Sequence, residues 1–115
     1  MKRKYNLFLK DIVEAIHSIE EYTASLDLED LKDNRMVVDA VVRNFEIMGE
    51  ATIHIPDKIK QKYSLVPWLE IRGFRNLIVH KYWVVDLEIM WDIIKNKLEE
   101  LKEQMNRVLE QEGEV

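Results

Sequence analysis

Apolar side chains recur at three- and four-residue intervals along almost the whole chain, a period that fits one regular structure, the amphipathic α-helix. Tyr5, Phe8 or Leu9, Ile12, Ile16, Ile19 and Leu26 form the stripe of a first helix. Asp27 then reads as an N-cap, with Leu26 and Leu31 at the two positions of a hydrophobic staple. A second helix is expected from about Leu28 to the early fifties, with Val37, Val38, Val41, Val42, Phe45 and Met48 on its apolar face. Arg35, Asp39, Arg43, Glu46 and Glu50 make its opposite stripe. Pro56 stops that helix and suits the first turn of a short one over Asp57–Lys62, and Pro67 does the same for one over about Trp68–His80. Asp86, after Val85 and four residues before Met90, reads as a second staple-type cap. A long last helix follows, with Leu87, Met90, Trp91, Ile94, Leu98, Leu101, Met105 and Val108 or Leu109 as its seam. Tyr82-Trp83-Val84-Val85 is strand-like but too short and isolated to build a sheet. The expectation is one all-α domain over residues 1–115, an up-and-down bundle of four to five helices.

Composition narrows the function classes. Three Gly, two Pro and 34% charged residues suit long, charged helices. The absence of Cys removes disulfides, thiolate nucleophiles and Cys-based zinc sites. His17 and His54 have no spacing that suggests metal binding, and three His without Cys argue against a zinc site, so neither a metal nor another cofactor is expected. The start of the chain resembles a signal peptide, but Lys10 and Asp11 cut the apolar stretch too early. No apolar run approaches the ~18 residues of a membrane span. A cytoplasmic location without membrane attachment is therefore the default. The net charge of −5 argues against a bulk electrostatic binder of nucleic acid. A narrow basic site is still allowed, because Lys58, Lys60, Lys62, Arg72, Arg75 and Lys81 crowd the middle third, whereas residues 99–114 are acidic. Long helices with two-sided apolar faces in so small a chain favour a homodimer.

The chemistry concentrates on the helix over Trp68–His80. At about 100° per residue, Arg75, Arg72, Asn76 and His80 fall within an arc of about 140°. Ile71, Phe74 and Ile78 lie on the other side and would anchor the helix in the core. Gly73 leaves nearby backbone uncovered, and Lys81 and Tyr82 follow where the helix is expected to end. A guanidinium fits phosphate oxygens and stabilises charge developing on phosphorus. An imidazole titrates near neutrality and moves protons. In RNA the 2′-hydroxyl is a built-in nucleophile, so a base, an acid and a cation suffice without a metal. One His80 cannot easily serve both faces of the phosphorus, and a two-fold dimer would supply a second. The ordinary alternative is that Arg75 pairs with Glu46 or Glu50 and that His80 caps its helix. Glu46 and Glu50 themselves read as salt-bridge partners, one of them orienting Arg75 or His80, and Arg43 beside them strengthens that reading. Trp68, Trp83 and Trp91 suit packing better than base stacking.

The segment Arg75-Asn76-Leu77-Ile78-Val79-His80 resembles the Arg-x4-6-His signature of HEPN domains, and with Tyr82 it resembles the longer Arg-x4-His-x-Tyr form of HepT toxins. The run from Arg43 through Asn44, Phe45, Glu46, Ile47, Met48, Gly49 and Glu50 to Ala51 is also similar to HepT-like proteins. So are Pro56 with the basic stretch after it, Pro67-Trp68, and Arg72-Gly73-Phe74-Arg75-Asn76. The resemblance covers about residues 5–101. It implies a HEPN-like bundle and a metal-independent RNase toxin of a type VII toxin–antitoxin pair, working as a dimer on RNA. Arg75 and His80 would be the catalytic pair, with Arg72, Asn76, Lys81, Glu46 and Glu50 in support. It further implies an MntA-type nucleotidyltransferase antitoxin that transfers AMP to Tyr82, in a complex that could extend to a higher hetero-oligomer. RNA contacts are expected to be few, with help from Lys58, Lys60, Lys62 and Lys81. The competing reading is a non-catalytic helical partner or substrate-binding domain of a minimal nucleotidyltransferase, in which the Arg–His pair grips a nucleotide or a partner carboxylate.

Overall fold

The structure, a computed structural model, describes residues 4–80 and 87–112; the side chains of residues 76–80 fall outside the description. The described residues form α1 (Tyr5–Thr23), α2 (Leu28–Lys32), α3 (Arg35–Ile53), α4 (Asp57–Lys62), α5 (Trp68–His80), α6 (Leu87–Asn96) and α7 (Leu98–Gln111), with no strand among them. The all-helical class is as expected. The segments outnumber the expected four or five helices because both long helices are interrupted.

The first interruption lies at Asp33 and Asn34. Asp27 caps α2 as expected, and the cap is reciprocal: Asp30 N–H donates to Asp27 Oδ1 at 2.8 Å and Asp27 N–H donates to Asp30 Oδ2 at 3.1 Å. After little more than one turn, Asn34 opens a new helix by accepting from the Val37 N–H at 3.1 Å. The local side-chain acceptor outcompetes continuation of the helix at that point. The second interruption is milder. Lys97 sits between α6 and α7, yet Lys97 N–H still reaches Ile93 O and Leu101 N–H reaches Lys97 O. The proposed cap at Asp86 and the segment Tyr82-Trp83-Val84-Val85 lie outside the described residues.

Helix α3 is the centre of the bundle. It packs most extensively against α5 on one side and α1 on the other, and α7 covers α1. The expected stripes do this burying: Leu9, Ile12, Ile16 and Ile19 from α1, Val38, Val41, Val42, Phe45 and Met48 from α3, and Leu98, Leu101, Met105 and Val108 from α7. Phe45 meets Phe74 of α5 edge to face at 5.0 Å, an arrangement worth roughly 0.5–1.5 kcal/mol beyond its buried area. Trp68 is buried and its indole N–H donates to Tyr63 O at 3.1 Å, the packing role expected of it. The large apolar side chains left exposed are Tyr22, Met36, Ile53, Leu65, Leu69 and Ile89, scattered over α1, α3, α5, α6 and a loop, with none on α7 among the described residues. No helix among the described residues is long and apolar enough to cross a membrane.

Candidate active site on the α3–α5 face

The exposed stripe of α3 lines a groove of about 360 Å³. Arg43, Glu46, Ile47, Glu50, Ala51 and His54 share one face of the helix at intervals of three and four residues. Phe8 and Asp11 of α1 and Arg75 of α5 complete the lining. The groove thus crosses the middle helix, with a contribution from each flanking helix.

Arg75 reaches this position because α3 and α5 approach unusually closely. A Cβ built on Gly49 would lie 2.6 Å from Arg75 Cβ, 2.9 Å from Arg75 N and 3.0 Å from Arg72 O. Only a residue without a side chain lets the two backbones meet there. Gly73, on α5, has open space where its Cβ would be, so the two glycines have different jobs. Phe74, next in sequence to Arg75, is buried against Phe45 and fixes the rotation of α5. With that face inward, Arg75 faces out and meets Glu50 at 3.1 Å through Nε. Both side chains are about half exposed, at 48% and 53%. A pair so exposed contributes about 0–1 kcal/mol, so its consequence is orientation rather than stability.

The expected supporting residues separate. Glu50 is the carboxylate that pairs with Arg75, whereas Glu46 lines the same groove, half-buried and without an ion pair among the described residues. Arg43 does not pair with either: it is exposed, lines the groove, and its guanidinium takes no part in an ion pair among the described residues. Arg72 is exposed on α5 outside the groove lining. The backbone of α5 continues through Asn76 to His80, which places His80 about 7.5 Å further along the axis than Arg75. The side chains of Asn76 and His80, together with Lys81 and Tyr82, lie outside the described residues.

The basic stretch on α4 does not join this site. Lys62 is held by Glu112 at 2.8 Å and Lys60 lines a separate depression with Pro67 and Leu69. Neither Lys58, Lys60 nor Lys62 lines the groove that holds Arg75. Sequence reasoning also passed over His54, whose ring stacks on Phe8 at 4.4 Å and 17°. The signal was available, since His54 continues the stripe of Arg43, Glu46 and Glu50 at four-residue spacing.

Comparison with known proteins bears on the same helices. The Ribonuclease HepT-like family profile matches residues 12–108. A Methanocaldococcus jannaschii protein named "Putative RNase" is 36% identical over 93% of this chain and 98% of its own length. "Probable ribonuclease HepT" of Thermococcus cleftensis is 37% identical over 89% of this chain and 93% of its own. A longer Methanocaldococcus jannaschii protein, "Gamma-glutamylcyclotransferase and putative RNase", is 34% identical over 96% of this chain, which spans 50% of that relative. No solved structure matches. The matched stretch contains α3 and α5 entire, with Gly49, Glu50, Arg75 and His80 in it, and by this match the chain belongs to the HepT-like ribonuclease family.

Proposed function

We propose that the chain is the toxin of a type VII toxin–antitoxin pair, an endoribonuclease that cuts RNA without a metal ion through Arg75 and His80. The observation that carries this reading is the placement of Arg75. It is pinned against Gly49, oriented by Glu50, and turned into a groove, on the helix that ends at His80. The family match and the names of its relatives support the same activity.

The reaction follows from elementary phosphate chemistry. A base removes the proton of the 2′-hydroxyl, the O2′–P bond forms, the P–O5′ bond breaks, and an acid protonates the leaving O5′. The products are a 2′,3′-cyclic phosphate and a 5′-hydroxyl. Arg75 holds a non-bridging oxygen and stabilises the charge that builds on phosphorus. His80 moves the protons. Base and acid act on opposite sides of the phosphorus, so the reading includes a two-fold homodimer that brings two copies of His80 to one cleft. Tyr82 is the regulatory residue: AMP placed on it by an MntA-type nucleotidyltransferase adds negative charge and bulk where RNA phosphate must enter.

The test uses purified protein free of its partner and unmodified at Tyr82. It should cleave total RNA in the presence of a metal chelator, and His80→Ala should slow cleavage by about 10²–10⁴-fold while the fold persists. Co-expression with the neighbouring nucleotidyltransferase should add units of ~329 Da, the mass of an adenylate, to Tyr82 and silence the enzyme. Intact RNA under these conditions would defeat the ribonuclease reading.

A further inference from the structure

The proposed cleavage needs two proton-transfer groups, and each chain supplies a single His80. The groove beside Arg75 contains another imidazole that this chemistry has not yet used. His54 caps the C-terminal end of α3 and lines the groove together with Glu50 and Arg75. It lies four residues, about one helical turn, beyond Glu50, a spacing that brings the Cβ atoms of such a pair to about 5–6 Å. Glu50 in turn meets Arg75 at 3.1 Å. The carboxylate that orients the guanidinium is therefore also a neighbour of His54. The ring is held in place: one face stacks on Phe8 of α1 at 4.4 Å and 17°, which restricts its rotation without engaging either nitrogen. A histidine kept for packing is buried, with its nitrogens satisfied. His54 is exposed, and among the described residues its ring enters no hydrogen bond or ion pair. The charged side chains that share the groove are Asp11 from α1, Arg43, Glu46 and Glu50 from α3, and Arg75 from α5. Beside these carboxylates and guanidiniums, the imidazole is the residue type that ordinarily changes charge between about pH 5 and 8.

We propose that His54 is a further catalytic residue of the RNA cleavage, the second proton-transfer group beside His80. The assignment rests on the ribonuclease reading. It places the second imidazole in the same protomer as Arg75, where a dimer would otherwise have to bring it as another copy of His80. His54 stands at the end of α3 and His80 at the end of α5, so the two imidazoles come from the two helices that meet at Gly49. One imidazole accepts the 2′-hydroxyl proton as the O2′–P bond forms, and the other gives its proton to O5′ as the P–O5′ bond breaks. One proton is taken and one is given, so the pair ends each turnover with its protonation states exchanged, and exchange with water resets them. Phe8 is then a positioning residue, because it sets the plane of the His54 ring.

The test follows cleavage of a short single-stranded RNA and, separately, binding of its 2′-O-methyl analogue, whose blocked 2′-oxygens prevent reaction. The unaltered protein should give a bell-shaped dependence of kcat on pH, with one limb from each imidazole. His54→Gln should lower kcat by about 10²–10⁴-fold and remove one limb, while the analogue binds within about twofold of its unaltered affinity. The position is exposed, and thermal melting checks that the variant keeps its fold. Cleavage by folded His54→Gln at the unaltered rate, with both limbs kept, would overturn the assignment and return the second role to another copy of His80. A raised KM with unchanged kcat would overturn it too, since His54 would then bind RNA without moving a proton. Intact RNA with the unaltered protein would instead defeat the ribonuclease reading, and this assignment with it.

Discussion

Two carboxylates on this molecule receive positive side chains in opposite ways. Glu112, at the end of α7, is saturated: Lys62 Nζ approaches at 2.8 Å, the Tyr63 hydroxyl donates at 2.5 Å and the Tyr5 hydroxyl donates at 3.0 Å. Its side chain is only 11% exposed, and the hydrogen bonds from Lys62 and then Tyr63 pull its pKa down to about 2. The cluster ties the start of α1 and the end of α4 to the end of α7, with both carboxylate oxygens engaged by neighbouring side chains. Among the described residues, Glu50 holds one ion-pair partner, Arg75, in an open groove beside Glu46 and Arg43, which enter no ion pair there. A completed network is a fastening. An incomplete one, rigidly placed, is where chemistry is expected, because the missing partner is the substrate.

Substitutions should separate the two regions. The largest effect should come from Gly49→Ala, whose added methyl meets backbone and Cβ atoms of α5. Forcing the helices apart should cost about 1–3 kcal/mol and displace Arg75, so cleavage should fall with stability. Gly73→Ala is the control, and should stabilise α5 by up to about 1 kcal/mol, because open space surrounds that position. Retained stability in Gly49→Ala, read from urea denaturation, would break the account of how Arg75 is placed.

The fastening should show a pH signature. Glu112 has its pKa depressed from 4.5 to about 2, so its contribution is present above pH 4.5 and disappears as the pH falls toward 2. Lys62 is raised by the Glu112 hydrogen bond and charge, and Tyr63 is raised chiefly by its hydrogen bond to Glu112. Both contributions hold below about pH 10 and fade as the pH rises beyond it. Melting temperatures of Glu112→Gln should therefore be lower than those of the unaltered protein near neutrality, with the difference closing between pH 4.5 and 2. A constant difference across that range would remove the electrostatic role. The smallest effect should be that of Glu50→Gln, within about 1 kcal/mol of unaltered stability, since its ion pair is half exposed.

How much of this could be read from the sequence depended on the range of the interaction. Local signals carried well. Asp27 with Leu31 placed a cap, Pro56 and Pro67 placed the starts of α4 and α5, and the apolar stripes placed the core. The breaks at Asn34 and Lys97 were hidden because the apolar period runs through them almost unchanged. The Arg75 and His80 spacing was visible, but choosing Glu50 over Glu46 as the partner required the packing of α5 on α3. Gly49 stood in a quoted motif without a role, since close approach is a tertiary fact. The pairing of Lys62 with Glu112 was hidden because the partner lies 50 residues away.

The most direct measurement sets Arg75→Ala beside Glu112→Gln, each assayed for melting temperature and for metal-free cleavage of RNA below the lower of the two melting points. The account predicts that Arg75→Ala melts near the unaltered protein and loses cleavage by about 10²–10³-fold, whereas Glu112→Gln melts earlier and still cleaves. Undiminished cleavage by a folded Arg75→Ala protein would contradict it.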